Sequence, residues 1–209
     1  MKRWGLLAVI LALVSLAYAG EHAALGCKRL KLVLDAQLTP SELERHWASG
    51  EPVAHTPAAL ELRGCQGQLL DRMELDAPLA KLDPSPLRGT RLHTVLVTVD
   101  LTAPAGSYNG PLTSPIEVDH NRLQQSQART PDGRFEPIRL ALTGKSAWKK
   151  TAINAKDQLL SVRCEPQGEQ FVITYRRYQP TRQGWRVRSR SEPGFWESDG
   201  AFPARRRFP

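Results

Sequence analysis

The sequence predicts an α+β domain that is mostly β: an antiparallel sheet, sandwich-like or half-barrel in form, with one short capped helix near the N-terminus. Three observations predict it. Apolar residues recur with period two through most of the chain after Leu60. The gaps between these runs are short and rich in turn formers, such as Pro131-Asp132-Gly133. A single helix-start signal stands before them, at Thr39-Pro40-Ser41-Glu42.

Residues 29–34 alternate well enough for a strand, with a helix from His22 as the competing reading. In the helix that follows, the Thr39 hydroxyl caps, Pro40 suits the first helical position and Glu42 reaches back to close a capping box. Leu43 and Trp47 fall four apart on one face, and Gly50 stops the helix in the left-handed position. Leu60 and Leu62 then lead into the turn Gly64-Cys65-Gln66-Gly67, followed by Leu69, Leu70, Met73 and Leu75. Residues 77–89 carry Pro78, Pro84 and Pro86 and read as a connector rather than an element.

The strongest strand is 91–101. Leu92, Val95, Leu96, Val97 and Val99 make both of its faces partly apolar, which predicts a central position. Residues 104–111 read as a loop. Ile116 and Val118 pair with Leu123 onward across Asp119-His120-Asn121, and 135–142 follows its Pro-Asp-Gly turn. Residues 159–164, 171–178 and 185–190 form a three-stranded meander across Gln167-Gly168 and Gln183-Gly184. In its last strand Trp185, Val187 and Ser189 point one way, while Arg186, Arg188 and Arg190 point the other. Adjacent like charges require anions or acids nearby, and Glu165, Glu169 and Glu192 are the acids at hand. No internal repeat is present, and the connector at 77–89 is the best placed domain boundary in a chain that reads as one domain, 20–209.

Residues 1–19 have the form of an export signal. Lys2 and Arg3 precede an uncharged run from Trp4 to Leu16, and Ala17-Tyr18-Ala19 offers a small-x-small cleavage site before Gly20. An uncleaved anchor is the competing reading, but the run falls short of the ~20 residues of a spanning helix. Lipoprotein processing needs a cysteine directly after the run, and Glu21 and His22 intervene before Cys27. The expected location is the periplasm or the exterior, with no transmembrane segment after cleavage. Export removes ATP, NAD and chromosomal nucleic acid from the expected partners.

Taking Lys2 and Arg3 from 29 basic residues leaves 27 against 21 acidic, a net of +6. Arg176, Arg177, Arg182, Arg186, Arg188 and Arg190 fall within 171–190, which holds no acid, and Arg205-Arg206-Arg207 lies near the end. The matching partners are a protein or an anionic envelope component such as lipopolysaccharide, phospholipid headgroups or wall polymer. A solvated sheet face is the structural alternative. Three cysteines remain after cleavage, so one disulfide leaves one thiol over. Three pairings are open. Cys27 with Cys65 is favoured, since both lie in the N-terminal third and flank the helix, while Cys164 alternates with Leu160 and Val162 as a core thiol. No Cys-x-x-Cys occurs.

Complete catalytic motifs are absent. Gly144-Lys145-Ser146 resembles the end of a phosphate-binding loop, but Arg139 stands where that loop needs its first glycine. Ser146-Ala147-Trp148-Lys149 matches Ser-x-x-Lys without a companion Lys-Thr-Gly, and reads as a surface turn feeding a short helix anchored by Trp148. The loop Gly106-Ser107-Tyr108-Asn109-Gly110-Pro111 is better suited to binding. Its path is fixed by Gly and Pro, and Ser107, Tyr108 and Asn109 bring polar groups to one place. Asp119-His120 falls at a hairpin tip. Histidines 22, 46, 55, 93 and 120 show no zinc-ligand spacing, with His46 on the helix surface and His93 in a strand. No cofactor or metal is expected.

The closing stretch Glu192 to Pro203, with its phrase Gly194-Phe195-Trp196-Glu197-Ser198-Asp199, is dense in aromatics, acids and turn formers; packing of Phe195, Trp196 and Phe202 over the sheet edge is favoured over their display to a partner. With the 106–111 loop, this phrase resembles uncharacterised exported proteins of Gram-negative bacteria that end in a similar one. The resemblance covers most of the mature chain. It implies a periplasmic or secreted location, attaches no activity and carries over no functional residue.

The expected function is therefore non-catalytic: an inhibitor, an immunity-type factor or an envelope accessory. Two alternatives stand beside it. One is a small envelope hydrolase using the 106–111 loop; the other is a binder of anionic polymer through Arg186, Arg188 and Arg190.

Overall fold

The computed structural model describes residues 22–34, 41–42, 45, 56–99 and 107–209. Among them the chain forms β1 (His22–Leu25), β2 (Lys28–Val33), β3 (Ala59–Arg63), β4 (Leu69–Glu74), β5 (Ala80–Asp83), β6 (His93–Val99), β7 (Leu112–Asp119) and β8 (Arg122–Gln125). It continues through β9 (Gln127–Arg129), β10 (Phe135–Pro137), β11 (Leu140–Ala141), β12 (Ser146–Ile153), β13 (Lys156–Gln167), β14 (Gln170–Thr181) and β15 (Gly184–Pro193). A 3-10 turn at Arg205–Arg207 closes it.

The protein is mostly β, but the strands divide into three open sheets. The first is antiparallel in the order β1-β2-β3-β4; the second orders β11-β7-β6-β5, with β8 also on β7. The third orders β10-β9-β15-β14-β13-β12, antiparallel except where β9 runs parallel to β15. The physical reason for more than one sheet lies in β6. Val95 and Val97 enter a core shared with Leu30, Leu32, Leu60 and Leu62 of the first sheet. Leu96 points the other way, into a core with Leu159, Tyr178, Trp185 and Val187 of the third. A strand apolar on both faces needs cover on both.

A third cluster covers the far face of the third sheet. Leu160, Val162, Cys164, Ile173 and Tyr175 pack with Phe208, and Trp196 and Phe202 lean against them. The aromatic C-terminal stretch is thus cover for a sheet face, with Phe202 stacked on Phe208 at 5.5 Å between centroids.

Four expectations need correction or restriction. The short capped helix is not supported: Ser41, Glu42 and Arg45 are helical, the other positions (Thr39, Pro40, Leu43, His46, Trp47 and Gly50 among them) lie outside the described residues, and no described helix reaches seven residues. The 77–89 connector contains β5, because Pro78 and Pro84 flank Ala80–Asp83 without interrupting it, and Leu82 is fully buried. Ser146-Ala147-Trp148-Lys149 begins a strand rather than feeding a helix. Trp148 and Ala147 alternate onto opposite faces, and β12 pairs along its whole length with β13, making the meander four-stranded. The leader, 1–19, lies outside the described residues, among which no helix is long and apolar enough to cross a membrane.

Cys27 is bonded to Cys65, joining the β1–β2 turn to the β3–β4 turn, and Cys164 is a buried free thiol.

Candidate functional site

At β15 the third sheet carries dry and wet sides as the alternation requires, while farther across the arginine-bearing face Ile173 and Tyr175 are covered by Phe208. Trp185 and Val187 are each 3% exposed in the second core, whereas Arg186, Arg188 and Arg190 are exposed on the opposite face. Two-residue turns fix what each arginine meets. Arg188 lies directly opposite Arg177 of β14, Arg186 lies between Gln179 and Arg129 of β9, and Arg190 lies opposite Tyr175.

Only part of this charge is matched. Arg190 donates to Glu192 Oε2 at 3.0 Å, and Arg207 pairs with Oε1 of the same carboxylate. The Tyr175 hydroxyl also donates to Glu192, at 3.1 Å; burial, then this carboxylate, push its pKa up. Of the other acids expected to help, Glu165 pairs with Arg163. Arg176 points to the opposite face, where it meets Glu136 at 2.9 Å and Tyr178 at 3.3 Å. Among the described residues, Arg129, Arg177, Arg186 and Arg188 have no carboxylate partner. Arg177 donates from Nη2 to the Phe208 carbonyl at 2.7 Å, while its Nε is shielded from solvent without an acceptor. Burial, then the charges of Arg205 and Arg188, lower its pKa. Cations held together this way cost free energy unless an anion joins them.

Ser107, Tyr108 and Asn109 are all exposed. The loop meets the rest of the chain through its backbone: the Ser107 carbonyl accepts from the Lys145 N–H at 2.9 Å. Gly144 passes so close that an added Cβ would stand 3.3 Å from the Ser107 Cα. Among the described residues, no carboxylate or imidazole bonds the Ser107 hydroxyl. The loop and the arginine face are separate features, not one site. Asp119 and His120 bond each other at 2.7 Å on the β7–β8 hairpin, with His120 in left-handed backbone at φ 56°. No group of three or more His, Cys, Asp or Glu placed to hold a metal occurs among the described residues.

Sequence reasoning missed Arg129, which joins this face only through the β9–β15 pairing, and it named Arg177 and Arg205 within the basic excess without placing them here. Arg177 faces the same way as Arg188, and Arg205 reaches this face from the C-terminal turn. The β14 alternation Tyr175, Arg177, Gln179 held the signal for Arg177; the place of Arg205 depends on how the C-terminal segment folds back.

No family model, curated protein or solved structure matches the chain.

Proposed function

We propose that the chain is a non-catalytic, exported binding protein whose anionic partner docks on the arginine face of the six-stranded sheet. One observation carries the reading: Arg177 and Arg188 stand directly opposite each other, continued by Arg186 and Arg129, with no carboxylate among the described residues to match them. Export is part of the proposal. The leader-like residues 1–19 support it, as does the Cys27–Cys65 bond, since disulfides persist in oxidising compartments. The partner is an anionic envelope polymer, such as lipopolysaccharide or a wall polymer.

The test is co-sedimentation of the mature protein with each polymer across a salt series. Wild type should bind most tightly at low salt and release as ionic strength rises. R186Q combined with R188Q should weaken binding by about tenfold and flatten the salt dependence. Equal binding by wild type and the double variant would sink the proposal.

A further inference from the structure

A second concentration of positive charge lies on the outer face of the first sheet. A cavity of about 520 Å³ opens beside the Cys27–Cys65 bridge, and His22, Arg29, Lys31 and Arg63 line it with no acid among the lining side chains. The alternation of β2 and β3 produces this face. Leu30, Leu32, Leu60 and Leu62 turn inward to the first core, so Arg29, Lys31, Glu61 and Arg63 turn outward. Register then sets His22 beside Lys31, Lys31 beside Glu61, and Arg29 beside Arg63.

The one carboxylate of this group is already engaged. Glu61, 6% exposed, accepts from Arg63 at 2.9 and 2.6 Å and from Arg72 at 2.9 Å. Burial pulls its pKa up, but Arg63 and Arg72 more than offset this and hold it below the ordinary carboxylate value. Arg63 also donates to the Gly67 carbonyl at 3.0 Å, which fixes its guanidinium as a rigid wall. Arg29 and Lys31 are left with no carboxylate among the described residues. The two lips of the cavity are the β1–β2 and β3–β4 turns, and the disulfide holds them together.

We propose that this cavity binds a phosphate monoester, with Arg29 and Lys31 taking its oxygens against the fixed Arg63 wall. Two unmatched cations suit a group carrying about −1.5 to −2 charge at neutral pH. A carboxylate would match only one of them. Planar guanidinium and mobile ammonium together suit a tetrahedral oxyanion. The polar lining suits a hydroxylated ester rather than an apolar one. This site is on a different sheet from the arginine face and stands or falls separately from it.

The experiment is an amide NMR titration of the disulfide-bonded mature chain with glycerol 1-phosphate, with acetate as control at equal ionic strength. A parallel arm uses phosphatidylcholine vesicles doped with phosphatidic acid, which carries the same group on a lipid. Saturable shifts at Gly26, Cys27 and 64–67 with glycerol 1-phosphate, absent with acetate, are expected. R29Q and K31Q should each weaken binding by about tenfold. R186Q/R188Q should leave it unchanged. The variants alter exposed or half-exposed side chains, and their own amide spectra check that they fold. Binding confined to the vesicles and lost in R29Q supports the site with a lipid headgroup as the source. Absence of saturation in both arms, equal response to acetate, or insensitivity to R29Q and K31Q overturns the proposal. Polymer binding that needs Arg186 and Arg188 alongside a silent cavity would leave the arginine face standing and remove only this site.

Discussion

Lys145 is buried beneath the C-terminal segment, where its ammonium pairs with Glu197 and lies 3.6 Å from the centroid of the Phe195 ring. The Ser198 N–H donates to the Gly144 carbonyl at 3.0 Å, so backbone and side chain close the same contact. These contacts join the packing of Trp196, Phe202 and Phe208 in holding the segment after β15 against the third sheet. Removing the carboxylate strands a charge that is only 7% exposed, while the 44% exposure of Glu197 lets solvent screen part of the loss. E197Q should therefore destabilise the protein by about 1–2 kcal/mol. Denaturant titration reads this directly, and trypsin cleavage at 205–207 should speed up in parallel. An unchanged midpoint would show that the pairing contributes nothing.

The Cys27–Cys65 bond closes a loop of sequence separation 38. Loop-closure entropy assigns such a bond about 4 kcal/mol of stability. C27S/C65S should lower the urea midpoint accordingly. Reduction of wild type should give the same midpoint as the double variant, since Cys164 is buried and has no partner to exchange with.

Asp157 ties the 77–89 segment to β13. It accepts from the Arg88 backbone N–H at 2.9 Å and from Arg88 Nη2 at 2.9 Å. The Arg88 side-chain bonds, acting against burial, hold its pKa below the ordinary value of 3.8. A depressed carboxylate adds stability above the unfolded pKa and loses it as pH falls through the folded one. D157N should thus be less stable than wild type at neutral pH, with the difference shrinking below pH 3.8. A gap that is constant across that window would rule out a charge-based role.

His93, at the start of β6, shifts stability in the same direction but in a higher pH window. Burial lowers its pKa from the ordinary 6.5, and its Nε2 is shielded without a hydrogen-bond partner among the described residues. The unfolded chain takes up a proton near 6.5 while the folded protein does not. Stability should decline as pH drops from the unfolded value towards the folded one, then level off. Comparing denaturation midpoints at about pH 7.5 and about pH 5.5 tests this. H93Q should show a smaller decline than wild type.

Local alternation made much of the third sheet legible. Trp185 and Val187 against Arg186 and Arg188 could be read from period two alone, and so could the two apolar faces of β6. Register was harder. Reading the last turn at Gln183-Gly184 instead of Arg182-Gln183 keeps every side chain on its correct face but sets Arg177 opposite Arg190, hiding its true partner Arg188. The β12 strand was obscured because Lys149 and Lys150 break its apolar pattern, and only pairing with β13 reveals it. The cavity beside the disulfide needed both hairpins and the covalent link at once. No stretch of the chain displays Arg29, Lys31 and Arg63 together.

Val95 and Leu96 are neighbours in sequence yet belong to different cores. A single backbone thus serves as a party wall, and neither side of it can be melted without exposing the other. Heat should abolish all three sheets in one cooperative transition, and splitting the gene at the proline-rich segment should yield two insoluble halves instead of two autonomous modules.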